Sequence, residues 1–403
     1  ITLYAGKAYK GYRIWPPFSN FGEGKLNNHS TQVTFGTHVT KIPEKIFKDV
    51  NFMYNLTLPD SLTEIGKFAF TNTTLTSIKI PSKVLEISDS AFFNCTNLKS
   101  VILPNELKKK KNGAFQNCQL DSICLSDSVK EIGKYAFYGN KFNSFRFPKA
   151  INKIEPFTFS ECNKLKFVVF PLFIDSIAES AFENCDSLML NKNLDQVTYI
   201  GKSAFSGCTS LNKLWIPNVT DLDTSTISGC KSLDSINIVN VKKLSHGMFA
   251  NMKYLKHLEL PFGGAGTAQT VGNFGELFGT EQNSDMRAVT QPLEDGTTKT
   301  YYLPTGLNVL VIGEGCEQLP YGALYNCSMI EKLTLPTTIK GVKENALYGC
   351  DGLTDIYVKR ALPPSAYETS FTGVNQFGCT LHVPYNSKQY YSIANGWKYF
   401  YFI

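Results

Sequence analysis

The chain repeats itself. Ile87–Pro104 reads ISDSAFFNCTNLKSVILP and Ile200–Pro217 reads IGKSAFSGCTSLNKLWIP. The two agree at Ile, at Ser-Ala-Phe, at Cys-Thr, at Leu and at a closing apolar-Pro pair. Looser copies place one residue column at Phe47, Phe70, Phe92, Phe115, Phe137, Phe159, Phe182, Phe205, Ile227, Phe249, Leu324 and Leu347. Successive members lie 22 or 23 residues apart, except for one gap of 75. A fixed period of this length is the mark of a solenoid, in which each unit leans on its neighbours.

Each copy has two halves. The first, such as Ile132-Gly133-Lys134-Tyr135-Ala136-Phe137, spaces its apolar residues at four and five positions, which predicts a short helical turn. Two residues past the Phe column stands Asn or Gly in most copies, for example Asn72, Asn94, Gly139, Gly207 and Asn326. These residues tolerate positive φ best, so a left-handed cap is expected there. Asp49 and Glu161 are the exceptions. The second half alternates in period two, as in Ile78-x-Ile80 and Leu214-x-Ile216, and a Pro commonly follows. That is a short strand with one buried face.

One such unit cannot fold alone. About five inward side chains at about 2 kcal/mol each do not offset about 22 ordered backbone positions at about 1–2 kcal/mol each. The predicted fold is therefore an α/β solenoid, a leucine-rich repeat stack. Short parallel strands form its concave side and helical turns its convex side, in about twelve repeats of 22–23 residues capped at both ends. The expected boundaries are an N-terminal cap at 1–38, about ten repeats at 39–261, an insert at 262–305, about two repeats at 306–360 and a closing cap at 361–403. Ile1-Thr2-Leu3 and Val33-Thr34-Phe35 read as strands that cover the first open edge.

The form I-G-x-x-A-F-x-x-C-x-x-L-x-x-I-x-I-P resembles the BspA-like family of bacterial leucine-rich repeat surface proteins. The tail resembles it too, in Thr380-Leu381-His382-Val383-Pro384, in Tyr390-Tyr391 and in Gly396-Trp397-Lys398-Tyr399-Phe400. The resemblance covers residues 39–260 and 306–403. It implies a secreted or surface-anchored bacterial protein that adheres to host matrix or coaggregates with other cells. Some positions depart from the pattern. Lys110 stands where other repeats carry Ile, within the lysine run Lys108–Lys111. Asn140 and Met252 replace Cys, and the repeat at Leu190 lacks its Ile-x-Ile-Pro strand.

Composition narrows the function. Over 403 residues, 40 Lys and Arg against 34 Asp and Glu leave a net charge of +6, too small and too dispersed for a nucleic-acid partner. No apolar run approaches the roughly 18 residues of a membrane helix. The first residue is Ile1, so a mature or trimmed form is expected, with any signal peptide outside the chain.

Eleven cysteines raise the prospect of disulfides or zinc. Eight of them share one column: Cys95, Cys118, Cys162, Cys185, Cys208, Cys230, Cys327 and Cys350. Stacked one strand spacing apart with parallel Cβ directions, they predict a ladder of buried thiols without disulfides. No C-x-x-C pair occurs and only five His are present, so no metal site is expected. Cys124 is expected at an exposed strand position, while Cys316 and Cys379 fall outside the column. The triplets at Asn94 and Asn326 fit glycosylation acceptors, but repeat geometry explains them better. No catalytic motif is present, and Gly263-Gly264-Ala265-Gly266 lacks the βαβ unit that a phosphate loop needs. No cofactor is expected.

The concave strand positions carry the functional reading. Residues between inward positions face solvent: Thr57, Lys79, Ile102, Cys124, Arg146, Val169, Trp215, Asn237, Glu259, Val311, Thr334 and Tyr357. A second column includes Ser100, Ser122, Ser144, Phe167, Lys213 and His257. The apolar residues Phe167, Val169 and Trp215 beside Arg146 and Lys213 make a candidate binding patch, because aromatic residues and Arg are enriched at hot spots. Segment 262–305 or a packing neighbour could equally cover it. The first hypothesis is non-catalytic recognition of an extracellular protein. The second is glycan binding, with Trp215 and Tyr357 stacking on sugar rings and the serine row bonding hydroxyls. The third is a hydrolase with two facing carboxylates near the insert.

Overall fold

Why the convex turns are not helical is visible in one repeat. Ser90 N–H, Phe92 N–H and Asn94 N–H donate to the carbonyls of Asn112, Ala114 and Gln116 in the next repeat, at 2.9, 3.0 and 2.8 Å. The residues between them, Ala91, Phe93 and Cys95, donate back within the turn to Ser88, Ser90 and Phe92. Half of the amide donors thus serve the neighbour and half close tight turns. Two residues per turn are left-handed, here Ser90 at φ 52° and Asn94 at φ 57°. The same pairing recurs at Tyr135 and Gly139, Phe157 and Glu161, and Ser203 and Gly207. A left-handed residue every fourth position forbids an α-helix. This corrects the expected helical convex side. Among the described residues the helical segments are Thr224–Ile227, Phe274–Leu277, Glu368–Phe371, Lys388–Tyr391 and Trp397–Tyr399.

This computed structural model describes residues 2–3, 34–35 and 38–403, apart from positions 52, 269, 283 and 294 and the side chains at 2, 3, 34, 109 and 110. The roles expected for Ile1, Val33 and the Lys110 side chain lie outside these residues. Thr2–Leu3 and Thr34–Phe35 do pair, in parallel.

The expected twelve repeats are also too few, since the stack has about fifteen turns. One addition lies inside the gap of 75. Gly247 N–H and Phe249 N–H donate to Glu276 and Leu277 carbonyls at 2.7 and 2.8 Å, and Phe274 N–H donates to Ala323 at 3.0 Å. Segment Phe274–Leu277 is therefore a turn of the spine. Its strand is Val309–Ile312, which pairs with His257–Leu260. The extra length between them is an antiparallel hairpin, Met286–Pro292 with Thr298–Pro304. Another turn lies at Glu368–Phe371, where Leu347 N–H and Gly349 N–H donate to Ser370 and Thr372 at 3.0 and 2.9 Å. Neither turn carries the Ala-Phe-x-x-Cys signature.

The chain forms two compact units. The N-terminal unit comprises Ile1–Asn191, Gly201–Thr209 and Ser225–Ile227. The C-terminal unit comprises Lys192–Ile200, Ser210–Thr224 and Ser228–Ile403. In the first, concave strands Asn55–Leu56, Ser77–Lys79 and Ser100–Ile102 pair in parallel, as do Ser144–Arg146 and Phe167–Val169. Each three-residue strand buries only its middle side chain. Behind them runs a stack of phenylalanine rings. Phe70, Phe92 and Phe115 lie 5.0 and 5.1 Å apart and nearly parallel, and Phe159, Phe182 and Phe205 continue at 5.5 and 5.6 Å. In the C-terminal unit one parallel sheet runs through Lys213–Trp215, Ser235–Asn237, His257–Leu260, Val309–Ile312, Lys332–Leu335, Asp355–Val358 and Thr380–His382. At its far end the fully buried Trp397 packs on Phe371, Tyr391 and Phe400, and its indole N–H donates to Pro364 O at 2.7 Å.

The cysteine column has a defined task. Cys95, Cys118, Cys162, Cys185 and Cys208 each donate to the carbonyl of the Phe-column residue one repeat earlier, at 3.0–3.1 Å. Cys350 does the same to Leu324. Asn140 replaces Cys without loss, because its amide donates to Phe115 O at 2.8 Å. Burial pushes the Cys162 and Cys350 thiols up to about 12. None of the eleven cysteines is in a disulfide, and only Cys124 is exposed. A thiol reagent is therefore expected to modify one site in the native chain, Cys124, and eleven after denaturation. Mass spectrometry of the labelled protein checks this, and rapid native labelling of Cys162 or Cys208 would contradict it.

A second ladder runs along the left-handed caps. Asn72 donates to Asp49 at 2.6 Å, Asn94 to Asn72 at 2.7 Å and Asn184 to Glu161 at 2.7 Å. Where the next cap is Gly, the missing Cβ leaves room for the preceding amide. A Cβ on Gly139 would lie 2.6 Å from Asn117 Oδ1, and one on Gly207 would lie closer still to Asn184 Oδ1.

Candidate functional site

Outward positions of the concave strands are where this fold displays variable side chains. In the N-terminal unit, register places Ser144 beside Phe167 and Arg146 beside Val169. Phe167 is 40% exposed and Val169 54%. The Lys166 ammonium lies over the Phe167 ring at 5.2 Å. Arg146 is already engaged, since its Nη2 contacts both Asp127 oxygens at 3.0 and 3.2 Å. Slight burial works to raise the Asp127 pKa, but the Lys149 N–H and the Arg146 guanidinium outweigh it and hold the carboxyl below its ordinary range. Arg146 thus enters any interface as half of an ion pair.

Two residues of this surface escaped the sequence reading. Leu172 and Phe173, in the turn after strand Phe167–Val169, are 71% and 73% exposed. The matching turn positions in other repeats are Ser82-Lys83, Asn105-Glu106 and Lys149-Ala150. The turn after Pro171 carries two large exposed apolar residues where those turns carry polar or small ones, and reading that column would have revealed it. One repeat therefore exposes four apolar side chains, Phe167, Val169, Leu172 and Phe173.

In the C-terminal unit the Lys213 ammonium sits 4.6 Å from the Trp215 ring centroid, a cation–π contact. The His257 ring lies 5.5 Å from Trp215, and its Nε2 meets Glu259 Oε1 at 2.8 Å. Asn237 donates to the other Glu259 oxygen at 2.6 Å. A similar cluster recurs at Tyr357, whose ring stacks on His382 at 4.1 Å, with His382 Nε2 2.8 Å from Asp355. Five strand steps separate Trp215 from Tyr357 in this sheet, about 24 Å at 4.8 Å per step. The two rings therefore belong to different subsites. The six residues singled out from sequence divide into Arg146, Phe167 and Val169 on one unit, and Lys213 with Trp215, and separately Tyr357, on the other.

The hydrogen bond with His382 holds the Asp355 carboxyl below its ordinary 3.8. A depressed carboxylate contributes stability that is present above its unfolded value and lost as pH falls through the folded one. The melting temperature of the wild type should thus exceed that of Asp355→Asn by a small margin at neutral pH, the pair being only partly buried. The margin should close below pH 3.8. A difference that grows on acidification would refute the assignment.

A cleft of about 550 Å³ lies beside the hairpin, lined by Gly272, Asn273, Glu276, Pro292, Gln318 and Tyr321 among others. Glu276 is the one carboxylate among its described lining residues, with His246 Nδ1 3.6 Å away. The two facing carboxylates that a hydrolase would need near segment 262–305 are not found there among the described residues. No group of three His, Cys, Asp or Glu side chains among those residues is placed to hold a metal. No described helix is long and apolar enough to cross a membrane.

No curated protein matches the chain. A leucine-rich repeat protein from Bacteroides ovatus is 18% identical, with a TM-score of 0.43 over 88% of this chain and 78% of its own. A leucine rich cell surface protein from Faecalibacterium prausnitzii is 20% identical, with a TM-score of 0.39 over 91% and 89%. The pneumococcal vaccine antigen PcpA is 20% identical, with a TM-score of 0.38 over 57% and 73%. The model of the BspA type leucine rich repeat region matches in six copies at residues 25–142, 130–256 and 297–380. Since that model matches most of the chain, the chain belongs to the BspA-type leucine-rich repeat family.

Proposed function

We propose that this protein is a non-catalytic recognition module, secreted or held at a bacterial cell surface, that adheres to an extracellular protein through its concave strands and their rim. The observation that carries the reading is the exposure of Phe167, Val169, Leu172 and Phe173 on one repeat. Exposed apolar side chains concentrated within seven residues are of the kind that marks interaction sites. Lys166 over Phe167 and the paired Arg146 supply a polar border to the patch. Lys213 and Trp215 provide a second anchor of the same chemistry on the other unit. Protein is favoured over glycan because Lys213 covers part of Trp215 and His382 covers one face of Tyr357. Each ring then has less area left for a sugar.

Binding to immobilised collagen, laminin and fibronectin, and to whole bacterial cells, tests the proposal. Whichever target binds the wild type, Phe167→Ala with Phe173→Ala is expected to weaken it by about 30-fold or more, the effect of losing one hot spot of about 2 kcal/mol. Trp215→Ala reports on the second anchor. Undiminished binding by both variants, with melting temperatures unchanged, would sink the reading.

A further inference from the structure

Nine of the nineteen exposed large apolar side chains among the described residues fall between Leu362 and Phe402, about a tenth of the chain. Tyr385 is 94% exposed, and Phe377 and Ile393 are 77% exposed each. Part of this surface is continuous. Phe377 and Tyr401 ring centroids lie 6.4 Å apart, and Tyr401 and Phe402 lie 4.9 Å apart. The rings are fixed in place by the last rung of the C-terminal sheet. Thr380 bridges to Phe402, Leu381 N–H donates to Phe402 O at 2.8 Å, and Tyr401 N–H donates to Gln376 O at 3.1 Å. The core beneath is already filled by Trp397, Phe371 and Phe400. The outer rings therefore contribute nothing to packing that burial inside this unit requires.

Charge selects the occupant. Between Leu362 and Phe402 Glu368 is the one carboxylate, and it accepts from the Tyr399 hydroxyl at 3.4 Å, while Lys388 and Lys398 are exposed. A second copy of this face would oppose like charge with like. An anionic partner would not. Exposed Tyr and Phe with flanking Lys in excess over a single carboxylate is a composition that settles at a bilayer interface, where amphipathic rings lie at headgroup level and lysines meet anionic lipid.

We propose that this end of the C-terminal unit docks peripherally on an anionic lipid bilayer, leaving the concave strands free. The site is independent of the recognition patch proposed above, so either can fail without the other. Flotation of the full chain with phosphatidylcholine vesicles, with and without phosphatidylglycerol, is the test. Binding is expected only to the anionic vesicles and should be lost near 1 M salt, where the Debye length is about 3 Å. Lys388→Gln with Lys398→Gln is expected to weaken it about fivefold per lysine, and Phe377→Ser with Tyr401→Ser about tenfold per ring. The lysine pair, both exposed, keeps the test valid if the ring variant fails to fold. No binding to either vesicle overturns the proposal, as does equal binding to both. A dimer in sedimentation velocity that Tyr401→Ser dissolves would assign the face to a second copy and overturn it as well.

Discussion

Phe92→Ala should destabilise the N-terminal unit by about 3–5 kcal/mol, the range for emptying a buried aromatic site. Phe92 is fully buried between two nearly parallel rings, 5.0 Å from Phe70 and 5.1 Å from Phe115. Neither neighbour can move in to fill the space, since each is held by amide bonds to its own neighbouring repeat, Phe70 N–H to Ala91 O and Phe115 N–H to Ala136 O. The loss should also spread. Stability in a stacked array is close to a sum of repeat and nearest-neighbour terms. Hydrogen exchange should therefore quicken at the repeats on both sides of Phe92, while Phe92→Leu should cost about 1.5 kcal/mol or less. Exchange that rises only at residues 88–95, with the flanking turns unchanged, would contradict the coupling.

Trp397→Ala is expected to have an effect of similar size on the C-terminal unit, for a different reason. Its indole fills the end of the stack against Phe371, Tyr391 and Phe400 and satisfies Pro364 O. Removal leaves a cavity, a buried carbonyl without its donor and an apolar face open to water. A destabilisation of about 3–5 kcal/mol should appear as fraying from the end, with exchange rising first at Thr380–His382 and then at Asp355–Val358. Trp397→Phe, which retains most of the volume but not the N–H, should fall between. Simultaneous loss of protection at Lys213–Trp215 and Thr380–His382 would mean that the unit melts all at once and not from its end.

The sequence reveals the period, the Phe and Cys columns and the inward strand positions, because each rests on a residue type that burial or hydrogen bonding demands. Asn and Gly at the left-handed caps are legible for the same reason. The first left-handed residue of each turn is not, since Ser90, Tyr135, Phe157 and Ser203 give no sign of positive φ. Their strain is offset by amide bonds to the next repeat, a long-range cause with no local signature. That is why a helical turn is expected and a pair of tight turns is found. The turn at Phe274–Leu277 is hidden likewise, because the hairpin moves its strand far along the chain. Of the candidate site, Phe167 and Val169 are legible from alternation. Leu172 and Phe173 are legible only by comparing one turn column across repeats, and the ion pair that occupies Arg146 is not legible at all.

The amide ladder at the caps has a bearing on how such chains can grow. The Asn117 and Asn184 side chains occupy the volume that Gly139 and Gly207 leave empty, whereas Asn72 is followed by Asn94 and is bonded to it. Copies with the same period are therefore not interchangeable bricks. Unequal recombination that set an alanine in place of Gly207 after Asn184 would retain the reading frame of the array, yet it would put a side chain at φ 73° and displace the Asn184 amide. Order is heritable information in this protein alongside composition, and lengthening should succeed most readily when whole runs ending in glycine are duplicated together.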